Sequence, residues 1–155
     1  MTIRMAQVAD LPSLLILFVD LLDYLKGENP NLDYSRDRDK IIGGCLETLR
    51  GKMITPGHIV LVAEENGEIR GFCAGQLLIM PSFFEHELVG ACEWLYPLDI
   101  PLMRSLVAAF DKWAINNGAT GRTGYTPADT KSEKLMIRNR MALQTSTFFK
   151  AYPER

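Results

Sequence analysis

Residues 57–80 read GHIVLVAEENGEIRGFCAGQLLIM, and no other stretch limits the fold as much. Two β-rich runs flank Glu65-Asn66-Gly67-Glu68. Asn-Gly supplies the positive-φ positions of a tight turn, so the pair predicts an antiparallel hairpin. The segments on either side then decide what kind of sheet the hairpin joins.

Upstream, TIRMAQ (2–7) reads as a first strand and ADLPSLLILFVDLLDYLKG as a helix. Asp10 stands where it would cap that helix, Pro12 is tolerated in the first turn, and Gly27 ends it. Leu14, Leu15, Phe18, Leu21, Leu22 and Leu25 recur at three- and four-residue steps and make one buried face. ENPNLDYS is a loop, and RDKIIGGCLETLRG is a second helix weakened by Gly43-Gly44. Downstream, PSFFEHE turns into the strand LVGACEWLYP, closed by Pro97. PLMRSLVAAFDKWAINNG opens with proline and stops at Asn-Gly, the asymmetry of a helix. ATGRTGYTP reads as a strand, TKSEKLMIRNRMAL as a last helix and QTSTFFKAY as a last strand. The order β-α-α-β-β-β-α-β-α-β predicts an α/β fold: a mixed, mostly antiparallel sheet flanked by helices, with a parallel crossover around the Pro101–Gly118 helix. With no repeat or linker in 155 residues, a single domain over 1–155 is expected.

Composition narrows the partners. Apolar residues are 47% and charged residues 23%, the profile of a globular chain, and the formal charge is −2. Bulk electrostatics therefore point to neither nucleic acid nor a membrane surface. The basic groups Arg36/Arg38/Lys40 and Arg138/Arg140 are interleaved with acids or neutral residues and read as solvated. Cys45, Cys73 and Cys92 form no C-x-x-C pair, which fits a reducing, cytoplasmic setting. His58 and His86 lie near no cysteine and in no H-E-x-x-H pattern, so no metal site is expected. The run LLILFVDLLDYL is short and broken by Asp20 and Asp23, and no secretory signal is legible.

Three features together, the order of elements, the hairpin AEENGEIRGF and the stretch EWLYP…LVAAFDKWAINNGA, resemble the GNAT acetyltransferase superfamily. Thr2–Gly27 also looks like that family's I-R-x-A-x-x-x-D opening, so the resemblance covers nearly the whole chain. The form of the crossover helix and the short length look most like the divergent members common in bacteriophage genomes, for which the setting would be host cytoplasm. One motif departs. The family's R/Q-G-x-G-x-G/A loop falls on Leu98, Asp99, Ile100, Pro101, Leu102 and Met103, and every glycine is replaced. Glycine there lets backbone N–H groups approach a pyrophosphate; here Pro101 removes a donor and Asp99 adds a negative charge.

The resemblance implies acetyl transfer from acetyl-CoA, used as a co-substrate, to a primary amine of a small molecule or protein. Such transfer needs a proton acceptor, donors for the thioester oxygen and a proton source for the leaving thiolate. Glu93, on the fourth strand, stands where the family often places the base. A backbone N–H near Leu95 or Tyr96 would hold the oxygen. The last helix lacks the family's tyrosine, which leaves Tyr125 and Tyr96 as substitutes by position. Helix-start amides of Met103, Arg104 and Ser105, with the Arg104 guanidinium and Ser105 hydroxyl, would meet the diphosphate. Ser132 and Asn139 fall where the family sets polar side chains against the pantetheine arm. The alternative is a catalytically inactive GNAT-fold binding or structural protein, such as a phage accessory or virion component, with Leu102 or Met103 filling the cleft. Trp94 and Trp113 read as packing anchors, and Cys73 and Cys92 as small buried filler on paired strands. A homodimer is left open, and no nucleic-acid or membrane partner is expected.

Overall fold

The alternating run Ile59-Val60-Leu61-Val62-Ala63 sets the architecture, because both of its faces are apolar and both must be covered. In the structure, a computed structural model describing residues 1–28, 38–81, 86–97 and 99–124, both are. All of these residues belong to one compact unit, Met1–Tyr125. The elements are β1 (Thr2–Met5), α1 (Leu11–Glu28), α2 (Arg38–Ile54), β2 (His58–Glu65), β3 (Glu68–Pro81), β4 (His86–Tyr96), α3 (Ile100–Asn116) and β5 (Gly121–Gly124). The strands lie in chain order, β1-β2-β3-β4-β5. The first four are antiparallel, and β5 is parallel to β4 after the α3 crossover. This is the α/β sheet that the sequence predicts; the expected last helix and last strand, residues 130–152, lie outside the described residues.

The predicted hairpin forms as read. Asn66 and Gly67 take φ of 54° and 80°, the left-handed pair of a type I′ turn. Val60, Val62, Phe72 and Ala74 pack under α1 and α2 with Leu11, Leu14, Phe18, Leu21, Cys45 and Leu49. Ile59, Leu61, Ala63 and Cys73 face the opposite way and pack under α3 with Leu102, Leu106 and Phe110. The α1 stripe is the predicted one, with Leu14 and Phe18 buried at its centre.

Two local expectations need correction. Asp10 does not cap α1. Its carboxylate accepts from Arg4 Nη1 at 2.7 Å and Nη2 at 2.9 Å, and from the Gln7 N–H at 2.7 Å. It thereby closes a 3₁₀ turn, Val8–Asp10, that joins β1 to α1. The nearby guanidinium outweighs burial and holds the Asp10 carboxyl below its usual range. In addition, α2 does not stop at Gly51 but runs three residues further, to Ile54. A glycine costs a helix about 1 kcal/mol, and the buried stripe through Cys45, Leu49 and Lys52 outweighs it.

Candidate functional site

Antiparallel strands pair residue for residue unless one of them carries a bulge. β4 carries one. Trp94 lies opposite Ala74, but the next pair is Cys92 with Gly75, so Glu93 has no partner on β3. Gly75 is required by the close approach there. A Cβ on it would come within 2.2 Å of the Ala91 carbonyl oxygen and 2.7 Å of Phe110 Cε2. Along its other edge β4 pairs with β5 from Val89–Gly121 to Cys92–Gly124. Among the described residues that pairing ends one residue before the bulge. Glu93 therefore sits at the slip in the β3–β4 ladder, near the carboxyl end of β4.

The bulge turns Glu93 toward the α1/α2 face, beside Trp94. Gln76 Nε2 donates to its Oε1, and Lys52 Nζ forms an ion pair with its Oε2. Lys52 comes from the last turn of α2 and is only 9% exposed. Its ammonium also lies 5.1 Å from the centre of the Trp94 ring, within cation–π range. Phe18 of α1 holds that ring edge-on at 4.8 Å. Four elements thus fix one carboxylate, one amide and one ammonium on an otherwise apolar face. Sequence reasoning missed Lys52 and Gln76. The signal for Lys52 was present, a lysine continuing the Cys45–Leu49 stripe, but ending α2 at Gly51 left it off the helix.

The front of α3 differs from expectation. Asp99 is the N-cap and α3 starts at Ile100, so the amides without helical partners are those of Ile100–Leu102, not Met103–Ser105. Pro101 has no N–H. Leu102 N–H donates to Asp99 Oδ2 at 3.2 Å. Met103 N–H donates to the Asp99 carbonyl at 2.8 Å. Arg104 and Ser105 lie inside the helix, and Ser105 Oγ donates to the Pro101 carbonyl at 3.1 Å. Leu102 and Met103 are buried, Leu102 within the apolar layer under α3. The Arg104 side chain is exposed.

Leu95 packs toward α3, and Tyr96 toward α1 and α2 on the face that holds Glu93. Burial, then the charge of Asp20, raises the Tyr96 hydroxyl above its ordinary value. The Cys73 and Cys92 sulfurs are 3.4 Å apart, and both cysteines pack on the α3 face. Tyr125, Ser132 and Asn139 lie outside the described residues. Among those described, no three His, Cys, Asp or Glu side chains gather as metal ligands, and no helix is long and apolar enough to cross a membrane.

No family model matches the sequence, and no curated protein matches it. Solved structures do. A variant of the BH1408 protein from Bacillus halodurans superposes with a TM-score of 0.83 at 14% identity, over 98% of this chain and 100% of that one. The aminoglycoside N-acetyltransferase AAC(6')-Iy, solved with CoA, gives 0.75 at 15% identity over 98% and 94%. An aminoglycoside acetyltransferase from an uncultured soil metagenomic sample, solved with sisomicin, gives 0.64 at 14% over 97% and 95%. At such identities the likeness establishes the fold, which is that of the GNAT acetyltransferases.

Proposed function

We propose that the protein is an acyl-coenzyme A-dependent N-acyltransferase, with acetyl-CoA as donor and a primary amine as acceptor. The observation that carries this is Glu93. Its carboxylate is held on the α1/α2 face at the bulge in β4. A carboxylate so placed can take the proton of an attacking ammonium. On this reading a Leu95 or Tyr96 amide of β4 meets the thioester oxygen. In this proposal Tyr125, or Tyr96 by its place on the Glu93 face, protonates the departing thiolate, and Ser132 and Asn139 serve the pantetheine arm. An acyl-CoA supplies the activated carbonyl; the chain supplies the base and the orientation.

The diphosphate end fits less closely. The Ile100 amide and the exposed Arg104 guanidinium can meet a phosphate once the Asp99 carboxylate turns away from Leu102. Losing that cap costs about 1 kcal/mol, so coenzyme binding should be weak. Isothermal calorimetry with acetyl-CoA tests the proposal. Heat of binding, with acetyl transfer to a polyamine that Glu93→Gln abolishes, supports it. No heat at millimolar coenzyme ends it. One observation favours the second reading, a GNAT-fold binding protein without catalysis: Asp99 already occupies the helix-front position that an anion would take. Under that reading Asp99→Asn leaves coenzyme binding undetectable.

A further inference from the structure

The amine nearest the proposed base belongs to the protein itself. Lys52 Nζ is in direct contact with Glu93 Oε2 and is steadied by the Trp94 ring. We infer that Lys52 is an acyl acceptor and that the protein acylates this side chain from its own bound acyl-CoA. The inference rests on the acyl-coenzyme A reading above and names one substrate for that site.

Three observations support it. Acyl transfer needs an ammonium to lose a proton to a nearby acceptor before it attacks, and here the ammonium already contacts the carboxylate that would take it, a pre-positioned arrangement worth far more than chance encounter. Ammonium and carboxylate are held from different elements, α2 and β4, with Gln76 of β3 fixing the second carboxylate oxygen. The contact is therefore part of the fold. Finally, Lys52 is the one buried lysine among the described residues, whereas Lys26 and Lys112 are exposed. A lysine at 9% exposure is poorly open to an external enzyme or to free reagent, but it borders the end of β4 where the thioester is proposed to lie.

The step balances. Lys52 Nζ passes one proton to Glu93 and its lone pair forms the amide bond to the acyl carbon. The carbon–sulfur bond breaks, and the coenzyme leaves as the thiol with the second nitrogen proton. Glu93 returns its proton to solvent. The lysine becomes a neutral amide, and Glu93 then stands without its cation.

The test compares two reagents on the full chain by peptide mass mapping. Acetyl-CoA should label Lys52 before Lys26 and Lys112. Acetic anhydride, which needs no site, should label Lys26 and Lys112 before Lys52. Glu93→Gln should slow labelling of Lys52 by acetyl-CoA by about a hundredfold and leave anhydride labelling of Lys26 and Lys112 unchanged. The order of labelling in the unaltered protein needs no variant to fold. If acetyl-CoA binds by calorimetry yet labels Lys52 no faster than the exposed lysines, self-acylation is refuted and the transferase reading stands. If acetyl-CoA does not bind, both are refuted.

Discussion

The two faces of the sheet are built on opposite plans. Under α3 the contact layer is apolar throughout, from Ile59, Leu61 and Ala63 to Leu106 and Phe110. Under α1 and α2 an equally apolar layer admits Lys52, Glu93 and Gln76 beside Trp94. The difference follows from strand regularity. β2 alternates from Ile59 to Ala63, ahead of its own register shift, and gives each helix layer a matching stripe, while the bulge in β4 turns an acidic residue onto the α1/α2 face. Both faces hold the fold together, and the α1/α2 face also holds an ion pair beside its apolar core.

Cutting into the α3 face should hurt most and should hurt stability alone. Phe110 is fully buried and lies against Gly75 and Gly90. Phe110→Ala should cost about 3–5 kcal/mol in denaturant unfolding. A loss under 1 kcal/mol would break the claim that this face carries the fold.

The charged cluster should cost less in stability and more in chemistry. Lys52→Met leaves Glu93 without its cation and should cost about 2–3 kcal/mol, less than a fully enclosed pair because Glu93 keeps some exposure. Adding Glu93→Gln should return most of that loss, since no lone charge remains. The Glu93→Gln change should abolish acyl transfer even so. If the two losses simply add, the pair is not coupled.

Among the described residues two arginine–aspartate pairs, Arg4–Asp10 and Arg122–Asp111, should titrate with opposite sign. Asp10, bonded by Arg4, has a folded pKa below its unfolded value. Its contribution to stability is present above the unfolded pKa and is lost as pH falls through the folded one. Asp111 is bonded by Arg122 at 3.0 Å, but burial dominates and raises its carboxyl. Its contribution is full below the unfolded pKa and is lost as pH rises through the folded one. Thermal melts between acid and neutral pH should flatten on the acid side for Asp10→Asn, whereas Asp111→Asn should gain relative stability as the acid range is left. Matching profiles would erase the distinction.

The smallest effect on stability belongs to Asp99→Asn, which keeps a capping side chain and should change it by less than about 0.5 kcal/mol. Under the transferase proposal the same change removes a negative charge from the diphosphate position and should tighten acetyl-CoA binding. Weaker binding would mean that the coenzyme does not lie there.

The legible parts of this molecule were those whose cause is local. Asn66-Gly67 fixes the hairpin by backbone conformation, and Leu14 and Phe18 mark the α1 stripe by spacing. The bounds of α3 were read nearly right, but beginning it at Pro101 shifted the free amides onto Met103–Ser105. Asp10 was misread because its partner, Arg4, lies across a turn whose closure local spacing does not reveal. Glu93 was singled out by its strand, yet Lys52 and Gln76 meet it only after two other elements have packed. The fold writes itself in short-range pattern; the site is an agreement between distant residues.

Glu93 stands outside the alternation of β4. Were its codon deleted, Trp94 would follow Cys92 directly, still opposite Ala74, and each neighbour would keep the side it has now. The acidic group is thus a one-residue insertion in an otherwise regular ribbon. A lineage could gain or shed it without shifting the strand's alternation, provided that Lys52 changed with it.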